Sequence, residues 1–219
     1  MCQHRDCLFP RPCKELEADH GEYLEILQKV RALPKVKKVF IRSGIRYDYL
    51  LEDSDEAFFE ELCAHHISGI LNVAPEHVSP RVLGCMRKPS REVFERFARK
   101  YRVVSGRLEK DQYLIPYFIS SHPGSRLEDA VELALYLKKT GFVPDQVQDF
   151  YPTPGTLSTC MYYTERDPFT MEQVYVAKSV EEKKLQRALL HFHKKENRAL
   201  VRKALKQAGR EDLTEELLR

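Results

Sequence analysis

The chain has 219 residues, of which 42% are hydrophobic and 32% charged, with a net charge of +3. This is ordinary for a soluble globular protein and leaves room for one compact domain, or a domain plus an appendage. No apolar run approaches the roughly 18 residues of a membrane span, and the start lacks the basic, apolar and small-residue pattern of a signal peptide. A cytoplasmic protein without a membrane partner is expected. The six cysteines then argue against a disulfide framework. Cys63, Cys85 and Cys160 read as small buried or half-buried side chains.

The first thirteen residues hold Cys2, Cys7 and Cys13, spaced C-x4-C-x5-C. Three thiolates this close could bind metal, alone or together with His4 or His20, but the spacing matches no common zinc pattern. Residues 1–18 form this cysteine-bearing leading segment. From residue 19 to 173 the chain reads as strand, turn and helix, repeated four times. Asp19 and Glu22 signal a helix start, with Tyr23, Ile26, Leu27 and Val30 on one face and Pro34 beyond the stop.

The first strand is Val36–Ile41, in "VKKVFIRSGIRYD". Ser54 then opens a helix carrying Phe58, Phe59 and Leu62. "HISGILNVAPEH" holds the second strand, with Ile67, Ile70, Leu71 and Val73. Helices follow from Ser79-Pro80 and from Ser90. "QYLIPYFISSHPG" is the third strand and the most apolar. Ser125 and Glu128 form a capping box for a helix striped by Ala130, Leu133, Ala134 and Leu137, which ends at Gly141. "DQVQDFYPTPG" is the fourth strand.

Residues 174–219 are a basic tail of two helices divided near "KKEN", with twelve Lys and Arg against seven Asp and Glu. Nucleic acid is a partner this tail permits, although a moderately basic helix is more often a solvated face.

Alternating strands and helices imply an α/β fold with a mainly parallel sheet, either open or part of a barrel. Ligands collect at the carboxyl ends of such strands. Those ends here are "SGIRYD", "APEH", "SSHPG" and "YPTPG". For His77 and His122 a general acid, a metal ligand and a loop-holding hydrogen-bond partner are all open. Glu76 suits a ribose hydroxyl or an amino group, or pairs with Arg46 or Arg81. Gly124 lets the backbone approach a ligand closely. Tyr117, Tyr151, Tyr162 and Tyr163 suit core or rim positions as well as stacking.

"CLFPRPCKELEADH", "KKVFIRSGIRYD", "HISGILNVAPEH", "QYLIPYFISSHPGS", "DQVQDFYPTPGTLSTCMYYT" and "VYVAKSVEEKKLQRALLHFHKKENRALVRKAL" resemble successive segments of the YgiQ-type radical SAM proteins. The likeness runs in order from about Cys2 to Leu213. It implies a partial (β/α) barrel of about four βα units followed by a helical tail. It also implies a [4Fe-4S] cluster, S-adenosylmethionine and a 5′-deoxyadenosyl radical. Ser43, Gly44, Glu76, His77, Ser121, His122, Gly124 and Tyr151 would then meet the cofactor. The catalytic residues and the substrate are not indicated.

The family's CxxxCxxC cluster loop and its Gly-Gly turn are missing from these 219 residues. Cys2, Cys7 and Cys13 resemble a segment downstream of that loop, and are not the family's cluster ligands. The expectation is a split or truncated radical SAM protein, inactive without an amino-terminal half that carries the cluster. Two other readings compete with it. One is a non-catalytic module that holds RNA or a protein through the basic tail; the other is a small metal-binding protein built on Cys2, Cys7 and Cys13.

Overall fold

The structure is a computed structural model that describes residues 6–144 and 147–219. Its elements in chain order are α1 Gly21–Arg31, α2 Tyr47–Leu50, α3 Ala57–His65, β1 Ile70–Glu76, α4 Pro80–Met86, α5 Arg91–Arg107 and β2 Tyr113–Ser120. There follow α6 Leu127–Thr140, β3 Gln148–Asp149, α7 Leu157–Thr164, α8 Val180–Leu190, α9 Arg198–Gln207 and α10 Thr214–Leu218. The fold is α/β, with a small three-stranded sheet in the order β1-β2-β3. Parallel pairing joins β2 to β3 through Ile119 with Gln148 and Ser120 with Asp149.

The chain divides into two compact units. One comprises the residues up to Pro75 together with Pro89–Pro116; the other comprises Glu76–Lys88 together with Tyr117–Arg219. In the first unit Leu50, Phe58, Phe59, Leu62, Leu71 and Phe97 are buried in one apolar cluster. Burial alternates along β1, so Leu71 and Val73 face this core while Asn72 and Ala74 do not. In the second unit α6, α8 and α9 pack on one another. Their facing stripes supply Leu133, Leu137, Leu185, Leu189, Val201 and Leu205 to a second core. The basic tail is therefore folded into this unit through its apolar stripes.

Two of the four expected strands differ. Val36–Ile41 forms no strand. The Ile41 amide donates to the His66 carbonyl and the Asn72 amide to the Arg42 carbonyl. The His66 ring, however, takes the Val39 carbonyl that a neighbouring strand would need. The fourth strand shrinks to the two residues of β3, because Pro152 and Pro154 offer no N–H to extend a ladder.

The helix signals fare better. Ser79 with Pro80 and Ser90 are the N-caps of α4 and α5, and Gly141 ends α6 in the left-handed region at φ 69°. The expected Ser125 capping box does not form. The Asp129 carboxylate accepts from the Arg126 amide at 2.8 Å, and the Ser125 hydroxyl is engaged elsewhere. Cys63 is buried, which pushes its thiol up to about 12. Cys160 is exposed, contrary to its expected burial.

Core position rather than residue type should decide the cost of truncation. Leu133→Ala is expected to lose about 2–5 kcal/mol by removing contacts around a fully buried side chain. Ile26→Ala, on α1 at 50% exposure, should change stability by only about 0.5 kcal/mol. Urea unfolding of the two variants side by side checks the contrast.

Candidate functional site

A cavity of about 390 Å³ opens beyond the carboxyl ends of β2 and β3 in the second unit. Its lining includes Glu76, Lys88, Ile119, His122, Asp149, Phe150, Tyr151 and Ser158. This volume falls within the usual range for small-ligand sites, and strand ends are where α/β folds place them. A second cavity, of about 480 Å³, shares Glu76, Ile119 and Gln148 with the first and adds Tyr117, Phe118 and Val147.

Glu76 ends β1 at φ 67°, a left-handed conformation that turns the chain out of the strand. Burial raises its carboxyl above the ordinary value, and the Lys88 ammonium 3.6 Å away opposes that shift. The expected partners are thus replaced by Lys88. Arg81 instead pairs with Asp129 at 2.6 Å, and Arg46 with Asp48. Asp129 is buried, and it also accepts from the Ser79 hydroxyl at 2.6 Å. It thereby fixes the segment after β1 to the start of α6.

The two histidines hold opposite tautomers. His122 Nδ1 lies 2.8 Å from the Pro123 carbonyl, which can only accept, so Nδ1 carries the proton. Its Nε2 is then an acceptor for the Ser158 hydroxyl, also at 2.8 Å. His77 Nδ1 accepts from the Ser79 amide at 3.0 Å, so its proton sits on Nε2. Burial pushes both rings down to about 4, which keeps them neutral near pH 7.

Residues 121–125 form a turn whose five members are all buried. Ser121 has φ 59°, and its hydroxyl finds no partner among the described residues. Gly124 has φ 91°, and a Cβ there would sit 2.7 Å from the Cys85 sulfur, so only glycine fits. Of the expected cofactor residues, Glu76, His122 and Tyr151 line the first cavity, with Tyr151 77% exposed. His77, Ser121 and Gly124 belong to the same unit but do not line the cavity. Ser43 and Gly44 are exposed residues of the first unit.

Sequence reasoning missed Lys88, Asp129, Ser158 and Gln186. Only Gln186 carried a signal, as a polar residue inside the apolar stripe of α8. Of the leading cysteines, Cys2 lies outside the described residues. The Cys13 amide donates to the Cys7 carbonyl at 2.8 Å, which closes a loop. Among the described residues no three His, Cys, Asp or Glu side chains gather as a metal site. No helix among them is long and apolar enough to cross a membrane.

Residues 145–216 match a family model described as a domain of unknown function, DUF3362. The chain is similar to a UPF0313 protein of Clostridium botulinum (strain Okra / Type B1), at 57% identity over 212 residues. That match covers 97% of this chain and 33% of the relative. A UPF0313 protein of Clostridium perfringens (strain SM101 / Type A) is 58% identical over 212 residues, covering 97% of this chain and 32% of the relative. The chain thus spans about a third of the length of the curated relatives it matches.

The buried histidines predict a pH dependence of stability. An unfolded histidine protonates near 6.5, while the folded rings resist protonation until about 4. Their contribution is complete above the unfolded value and is lost as the pH falls through this window, at about 1.4 kcal/mol per pH unit for each ring. His122→Asn should therefore flatten the decline of urea stability between about pH 6.5 and 4.5 relative to the unmodified chain. Parallel curves would mean that the ring is not shielded.

Proposed function

We propose that this chain supplies the ligand-facing strand ends of a larger radical SAM-type protein, with the cavity beyond β2 and β3 taking the nucleoside of S-adenosylmethionine. The observation that carries the reading is the cavity itself. It joins an acceptor carboxylate, an aromatic wall and hydroxyl groups where an α/β sheet presents its ligands. The relatives support it from another side, since they contain about twice as much further chain. In this reading the second unit is one arc of a (β/α) barrel, and the further chain completes it as an amino-terminal half.

The residues present fit the nucleoside. Glu76 would accept from the ribose hydroxyls, with Lys88 keeping its carboxylate charged. Phe150 and Tyr151 would flank the base, and His122, neutral and fixed by Ser158, would offer no charge to repel the sulfonium. When bound, S-adenosylmethionine supplies a carbon-centred radical on reduction. The described residues do not fit an iron–sulfur cluster, because no set of three ligands gathers among them. A cluster is therefore assigned to the further chain, and the molecule that would lose hydrogen is not identified by any group in the cavity.

Two preparations test the reading: the chain alone, and the chain co-expressed with the remaining two-thirds of the C. botulinum relative. Alone, the chain should be colourless and leave S-adenosylmethionine intact. The pair should be brown and consume it under reducing conditions. Glu76→Ala in the pair should weaken binding by about tenfold to a hundredfold, the loss of one or two charge-assisted hydrogen bonds. A brown, active chain alone would overturn the assignment of the cluster to the further chain. Unchanged binding in the Glu76 variant would overturn the placement of the nucleoside.

A further inference from the structure

The turn at residues 121–125 connects β2 to α6, yet its partners come from much farther along the chain. Gln186 lies on α8, is fully buried, and addresses both ends of the turn with one amide group. Its Oε1 accepts from the Ser121 amide at 3.1 Å and from the Ser125 hydroxyl at 2.9 Å. Its Nε2 donates to the Ser125 carbonyl at 3.0 Å and to Glu182 at 3.3 Å. Just before α8, the Tyr175 carbonyl accepts from the Gly124 amide at 2.7 Å.

We infer that Gln186 is a positioning residue: it clamps the turn at residues 121–125 and so sets the direction in which His122 enters the cavity. Three observations converge on this role. First, Gln186 has used both lone-pair directions and both N–H groups, and all but one of these bonds go to the turn. Second, Ser121 is held in a left-handed conformation that a side chain rarely adopts, and such a conformation persists only where surrounding contacts impose it. Third, the ring lies between the two clamped ends: its Nδ1 is tied to the next residue's carbonyl and its Nε2 to Ser158. If the ends relax, Ser121 returns to an ordinary backbone conformation and the ring leaves Ser158. The inference concerns the turn itself and holds whichever ligand the cavity takes.

The test is nuclear magnetic resonance of the full chain without ligand, reading the exchange of the Ser121 amide and the imidazole nitrogens of His122. Gln186→Met keeps the volume and removes the hydrogen bonds. It should speed Ser121 exchange about tenfold more than exchange in the middle of α6, as expected for the loss of a buried hydrogen bond. It should also abolish the separation between a protonated Nδ1 and an accepting Nε2.

Leu189→Ala loosens the same helix without touching the turn, and should speed exchange throughout the unit while leaving the His122 signals as they were. Ser125→Ala, a smaller change that removes one donor to Gln186, should move the Ser121 and His122 readouts in the direction of the Met variant. It carries the test if the Met variant does not fold. Ser121 exchange that only follows α6, with unchanged His122 signals, would show Gln186 to be a packing residue and overturn the inference.

Discussion

A buried turn must satisfy its own polar groups inside the protein, and much of the second unit is arranged around that constraint at residues 121–125. Each such group left unpaired costs about 1–3 kcal/mol, and the Ser121 hydroxyl is the one side-chain group of the turn left so among the described residues. The five residues offer amides, carbonyls, two hydroxyls and an imidazole. Gln186 answers three of these demands with a single side chain, while the Tyr175 backbone and Ser158 take two others. The elements that supply these partners are α8, the segment before it, and α7. A helical tail is thereby made part of a strand-end loop about 60 residues earlier in the chain.

The same economy of polar groups appears around Asp129. Its buried carboxylate receives the Ser79 hydroxyl, the Arg81 guanidinium and the Arg126 amide. Three donors, one of them charged, offset the cost of burying this carboxylate. The neighbouring His77 needs no charge partner because it stays neutral. Asp129 thus stabilises one side of the strand-end edge by charge and Gln186 stabilises the other by neutral hydrogen bonds. The cavity lies against an edge with little freedom to rearrange.

How far this was legible in the sequence depends on the range of the interaction. Ser79-Pro80, Ser90 and Gly141 act within one turn of their own helices, and their signals hold. The stripes of α6, α8 and α9 were readable for the same reason, since helical spacing is local. Val36–Ile41 shows the opposite case. Its β-rich composition is strand-like, but the His66 ring claims the Val39 carbonyl, and nothing in the spacing of the two reveals that contact.

Ser125 and Glu128 match a capping box as well as any sequence can. Gln186, 61 residues away, competes for the hydroxyl and wins because both groups are fully buried. Glu76 and His122, singled out by their place at strand ends, line the cavity. Lys88, Asp129 and Ser158 were not, because lysine, aspartate and serine in loops and first turns look the same whether they face solvent or a cavity.

The stripe on α1 shows a pattern that is legible but unanswered within the first unit. Tyr23, Ile26, Leu27 and Val30 have the spacing of a buried face, yet only Leu27 is buried. Tyr23 leans on Phe58 at a ring separation of 5.1 Å and is still partly open to solvent. Periodicity shows which face of a helix seeks burial; it does not show what will bury it. Each Å² of apolar surface left in water forgoes about 25 cal/mol, so a stripe of this kind gains most where more chain covers it. The relatives that this chain matches are about three times as long.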